Sequence, residues 1–270
     1  MSGDTPFMLS DLLPHVCAIL ALLLLWQYHQ IQVLTGRIQA TDIFDRSGIR
    51  MYLFAIPDDD QVCPSCREVL GLVCLPSKVA EEDFTPLKTP CIASAKCMVV
   101  MVALYGGWLE ARRVVEKVRA AKKEGAVQLS PQELAGLLKG NWEGSVSSAT
   151  DRLAVVMVKA LTSEKTNPAA ASAGYVQVIQ EAKEVHDLPL VVPAYLRLTD
   201  VLTRQGHPEE AMQVIQEFET RYPRTKKGPY FPHETQRGLM AIKKNRLRTG
   251  ATTAKPQAAQ PPISDTATAV

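Results

Sequence analysis

The chain has 270 residues, 46% of them hydrophobic and 21% charged, with a formal net charge of +2. That length allows one or two domains with a sizeable core. A near-neutral balance excludes the global basic field of a nucleic-acid binder, and no phosphate-binding loop, dinucleotide fingerprint, nucleophile elbow or zincin motif occurs.

Taken in chain order, residues 1–11 form a short tail. The first informative stretch is "LLPHVCAILALLLLWQYHQIQVL", Leu12 to Leu34. Its uninterrupted apolar part, Val16 to Trp26, is short. With its flanks it reaches the ~20 residues of a membrane span, and Trp26 and Tyr28 stand where interfacial aromatics belong. A secretory signal would carry Lys or Arg before the apolar run and a small-residue cleavage site after it, and this stretch has neither. The expectation is a single transmembrane anchor over 12–34. Arg37, Arg46 and Arg50 follow it and no basic residue precedes it, so the bulk of the chain is expected in the cytoplasm.

Residues 35–91 are expected to hold an amphipathic extension, through Ile31, Leu34 and Ile38, and a small cysteine-rich β element. "RMYLFAI" (50–56) and "LGLVCL" (70–75) have strand composition. Between them, Asp58, Asp59 and Asp60 suggest a solvated turn, and "CPSC" follows. Cys63 and Cys66, with Cys91 and Cys97 further on, make a C-x2-C…C-x5-C set. Zinc wants four convergent soft ligands, and such a set can supply them as a structural site. Cys74 falls on a predicted strand as a buried apolar residue, and Cys17 lies in the apolar run. The same pattern also fits reduced thiols or a disulfide-forming pair, so a thiol-redox role for Cys63 and Cys66 stands as the alternative function. A thioredoxin-like site would want a βαβ context, which the sequence does not show.

From about residue 92 to 248 the chain is expected to be helical. "KCMVVMVALYGGWLEARRVVEKVRAAKKEG" suggests two helices joined at Gly106–Gly107. "SPQELAGLL" opens with Ser130 as N-cap, Pro131 in the first turn and Glu133 three residues on, a capping box. "DRLAVVMVKAL" and "PAAASAGYVQVIQEAKEV" suggest a further pair, and a last helix covers His233 to Leu247. Nine basic residues between Arg221 and Arg248 suit a polar capping helix. The tail, 249–270, has too few large apolar groups to offset its ordering entropy.

The best-defined segment is Val191 to Pro223. Tyr195, Leu198, Thr199 and Leu202 occupy one helix, Gly206 the turn, Ala211 and Ile215 a second helix, and Pro223 the end. In that order and spacing the segment resembles a tetratricopeptide repeat (TPR). Thr199 and Phe218 depart from it, standing where small residues are usual. A looser unit keeps the turn-to-alanine spacing at Gly106 and Ala111, with Met98, Val99 and Val102 on its first helix and Val115 and Val118 on its second. The resemblance implies a mainly α fold, a TPR-like α-solenoid of helical hairpins after the anchor and the β element. It also implies a binding role: a membrane-attached interaction scaffold taking a protein or peptide in its helical groove. No catalytic residue is assigned.

Overall fold

The computed structural model describes residues 14–27, 49–60, 62–79, 99–121, 124–139, 149–182, 188–226, 231–232 and 234–250. The fold is mainly helical with a small antiparallel sheet. The elements run α1 (14–27), β1 (Met51–Ala55), α2 (Pro64–Arg67), β2 (Leu72–Cys74), α3 (Pro76–Val79), β3 (Val100–Leu104), α4 (Leu109–Ala120), β4 (Ala126–Gln128), α5 (Pro131–Lys139), α6 (Ala149–Ser163), α7 (Pro168–Glu181), α8 (Leu188–Arg204), α9 (Pro208–Arg221) and α10 (Glu234–Arg248).

Helix α1 corrects the expected anchor. Its described residues number 14, which at 1.5 Å per residue is about 21 Å against a hydrocarbon core of roughly 30 Å. No helix among the described residues is long and apolar enough to cross a membrane. The single-pass placement over 12–34, with the bulk of the chain cytoplasmic, is overturned. The amphipathic extension at Ile31, Leu34 and Ile38 and the tail 251–270 lie outside the described residues.

The sheet has the order β3-β1-β2-β4, with every neighbouring pair antiparallel. β1 pairs along its whole length with β3, Met51 opposite Leu104 and Ala55 opposite Val100. Strand alternation divides its side chains. Met51, Leu53 and Ala55 join Val73, Val102 and Leu104 in the main core, while Tyr52, Phe54, Cys74 and Ala103 pack with Val69 and Val79 on the other face. Residues 100–104 were expected as the first helix of the looser repeat unit. A short buried apolar run has no periodicity that separates strand from helix, and "VMVAL" completes the sheet instead.

Helices α6 and α8 form a middle layer. Between Leu190 and Leu202 no side chain of α8 is exposed, and α6 exposes only Arg152 and Lys159 between Asp151 and Leu161. Such all-round burial means cover on two sides. One side is the sheet, since β3 packs on both helices and β1 on α6. On the other, α7 packs against both α6 and α8, and α9 against α8. Helices α7 and α9 are one-sided, burying Ala171, Tyr175, Val178 and Ile179, and Ala211, Ile215 and Phe218. At Gly174 α7 lies close against α6, where an added Cβ would stand 3.0 Å from the Ala160 Cβ.

The turn between α8 and α9 has the expected form. Gly206 adopts φ +81°. Its N–H reaches the Thr203 carbonyl at 3.2 Å, and the His207 N–H reaches the Leu202 carbonyl at 2.9 Å. These are the two bonds of a Schellman closure. The Thr199 hydroxyl donates to the Tyr195 carbonyl at 2.8 Å, which satisfies a buried polar group at a position where a small residue is usual. Phe218 packs edge-on to Tyr195, with ring centroids 5.5 Å apart.

Candidate functional site

The segment from Pro57 to Arg67, between β1 and β2, carries the candidate chemistry. It is fastened at three consecutive residues. The Asp58 N–H donates to the Leu161 carbonyl of α6 at 2.8 Å. The Asp59 carboxylate accepts from Arg197 at 3.1 Å and Arg204 at 3.0 Å, and its side chain is only 7% exposed. Asp60 meets Lys165 at 2.7 Å on the surface. The expected solvated turn is therefore a latch onto the helical layer. Its middle carboxylate gave no sequence signal, because both partners lie some 140 residues away along the chain.

Glu164, in the turn after α6, is the centre of this network. It accepts from Arg197 Nε at 2.8 Å and Nη2 at 2.5 Å, from Arg204 at 2.5 Å and from the Tyr175 hydroxyl at 2.6 Å. Paired bonds of this kind are the strong form of Arg–carboxylate contact. Asp200 accepts a further bond from Arg197 at 3.1 Å and one from Lys243 of α10. Burial works against the Arg197 charge, but Glu164 outweighs it and holds the guanidinium above its ordinary range. Burial and the Glu164 carboxylate push the Tyr175 phenol up. Burial pushes the Lys243 ammonium down, with Asp200 opposing. These groups are saturated with one another, as a structural clamp must be.

Asp151, at the start of α6, is a second such fastening. Its carboxylate accepts the backbone N–H groups of Tyr105 at 2.7 Å, Gly106 at 3.4 Å and Gly107 at 3.1 Å. Gly106 adopts φ +75° to present them. Burial raises the Asp151 carboxyl, and the three N–H groups oppose that rise. The glycine pair expected to join two helices thus joins β3 to α4 and is held by α6.

Beyond the latch the chain turns at the cysteines. Cys63 is the N-cap of α2, with Pro64 at the first helical position. Its sulfur accepts the Cys66 N–H at 3.4 Å. Cys63 is half-buried, and Cys66 is buried with Ile56 and Val62. The Arg67 Nε donates to the Val62 carbonyl at 3.2 Å and closes the turn. Cys74 is buried in the opposite-face cluster of the sheet, as expected, and Cys17 is exposed on α1. Cys91 and Cys97 lie outside the described residues. No disulfide and no group of three metal-binding side chains occurs among the described residues.

Four of the nine basic residues near the end, Arg221, Arg237, Lys243 and Lys244, are occupied internally. Arg221 donates to the Ile179 and Ala182 carbonyls at 2.8 and 2.6 Å, capping the end of α7. Arg237 is buried and donates to the carbonyls of Tyr222, Lys226 and Pro232. Lys244 pairs with Glu219 at 2.5 Å. Comparison of the chain with protein-family models, curated proteins and solved structures finds no match.

Proposed function

We propose that the chain is a protein-interaction scaffold whose helices α6 to α10 are a short stack of TPR-like hairpins. The observation that carries this reading is the α8–α9 hairpin. It is closed at Gly206, with Ala211 fully buried, and the Tyr195, Phe218 and Tyr222 rings interlock between its helices. The α6–α7 hairpin precedes it, and α10 caps the stack by packing on α8 and α9. Stacks of this kind act as binding surfaces, a fold-level analogy.

The groove side of such a stack is lined by its first helices, here α6 and α8, and that side carries β1 and β3. In this reading the partner is a protein or peptide lying along the outer helices, with Val176 and Ile242, 37% and 50% exposed, as its apolar contacts. The test is affinity capture of the full-length chain with chemical cross-linking. Cross-links on α7, α9 or α10, and loss of the partner in Val176→Glu with Ile242→Glu at unchanged melting temperature, support the reading. Undiminished capture by that variant, or cross-links confined to residues 49–79, sinks it.

A further inference from the structure

We infer that helix α10 controls the strength of the Asp59 latch, because Lys243 and Arg197 compete for the Asp200 carboxylate that lies between them. Arg197 is divided among three acids. Its Nε and Nη2 meet Glu164, Nη2 also meets Asp59 at 3.1 Å, and Nη1 meets Asp200 at 3.1 Å. Asp59 and Glu164 share a second cation, Arg204. The second cation on Asp200 is Lys243, and it comes from α10. Asp200 and Lys243 are 30% and 20% exposed, and partly buried charges are screened less by salt than surface ones. The docking of α10 therefore decides whether Asp200 is neutralised without drawing further on Arg197.

Helix α10 is the element placed to vary. Among its described side chains only Arg237 and Met240 are buried, whereas α8 beneath it is buried on every side from Leu190 to Leu202. Much of its hold is polar, through Arg237 on backbone carbonyls, Lys243 on Asp200 and Lys244 on Glu219. Elements with few buried apolar contacts open first. Burial pushes the Lys243 ammonium down, and the Arg197 charge adds to that effect against the pull of Asp200, so the two cations already repel across the carboxylate they share. When Lys243 withdraws, Asp200 keeps its charge and draws the Arg197 guanidinium toward itself. Nη2 then loosens from Asp59, and the latch relaxes beside the cysteine turn. The signal crosses α8 through side chains with two arrangements, which is a physical route for coupling.

The experiment uses the buried Cys66 thiol as a reporter of the latch, its alkylation rate in the full-length protein being read by mass spectrometry. Lys243→Met is expected to raise the rate several-fold. Lys244→Met removes the neighbouring pair on the same helix and is expected to leave the rate unchanged. Asp200→Asn takes away the competing charge, returns Arg197 to Asp59 and Glu164, and is expected to slow the reaction. In that background Lys243→Met is expected to have no further effect. A general loosening of the fold would raise the rate in every variant, so the opposite signs of Lys243→Met and Asp200→Asn separate coupling from destabilisation. Equal rates in Lys243→Met and the parent, an equal rise in Lys244→Met, a rate that does not fall in Asp200→Asn, or a Lys243→Met effect that survives Asp200→Asn would each overturn the coupling.

Discussion

Arg197 and Glu164 meet side by side, Nε on Oε1 at 2.8 Å and Nη2 on Oε2 at 2.5 Å, with 6% and 0% of their side chains exposed. The pair joins α8 to the turn after α6, and Tyr175 of α7 adds its hydroxyl. Three helices and the latch on Asp59 thus converge on two side chains.

Glu164→Ala removes the fully buried acceptor shared by Arg197, Arg204 and Tyr175, and leaves Arg197 with Asp59 and Asp200. It is expected to cost about 1–3 kcal/mol, a fall in melting temperature on the order of 5 °C for a chain of this size. Thermal and urea unfolding of purified protein would measure it. A change below about 1 kcal/mol would mean that Arg197 finds water or another acceptor and that the clamp is not structural. An apolar replacement of both partners, Glu164→Leu with Arg197→Met, is expected to cost less than Glu164→Ala alone.

Asp59→Ala tests the latch separately. Arg197 keeps Glu164 and Asp200, so global stability is expected to fall less than in Glu164→Ala. The local effect falls on the cysteine turn, which begins four residues on. Alkylation of the buried Cys66, followed by mass spectrometry, is expected to speed up several-fold. Lys165→Ala breaks only the exposed pair with Asp60 and should leave that rate unchanged, since such pairs contribute little. Equal rates in Asp59→Ala and the parent would show that the turn holds its shape without the latch.

Ala211 is fully buried between α9 and its neighbours. Ala211→Leu adds three carbons to a filled contact and is expected to cost roughly 1–3 kcal/mol by overpacking. An unchanged denaturation midpoint would mean that the α8–α9 contact has slack and would weaken the TPR-like reading.

The capping box at α5 gives a pH prediction. Glu133 accepts from Lys117 at 2.5 Å and from the Ser130 N–H at 2.8 Å, while the Ser130 hydroxyl accepts the Glu133 N–H at 3.2 Å. Lys117 first, then Ser130, holds its carboxyl at about 2 against an ordinary 4.5. Because the folded value is depressed, the stabilisation is complete above about 4.5 and is lost as pH falls toward 2. NMR titration of the Glu133 carboxyl reads the shift directly. Lys117→Met is expected to move the midpoint upward, and an unmoved midpoint would reassign its cause.

Local features were legible in the sequence, and long-range ones were not. Ser130 with Glu133, Gly206 with its flanking helices and the β-rich 51–55 each carry their signal within a few residues. Val100–Leu104 carries no such signal: its strand identity comes from pairing with β1, which lies some fifty positions earlier. Glu164 and Arg197 look like surface charges until the fold sets them face to face, 33 positions apart. The reading of residues 12–34 failed for a related reason. Apolar composition there satisfied a length rule that the described helix, 14–27, does not.

The latch closes a very long loop. Asp59 and Arg197 are separated by 138 positions, so β1 and its turn leave the ribosome well before their anchoring arginine does. At about 5–20 residues per second, that interval is on the order of ten seconds. Until α8 emerges, the sheet face lacks the cover that α8 gives to β3. The nascent chain is thus exposed to misassociation over a fixed window of its synthesis, and a chain cut short before α8 carries that exposed face permanently.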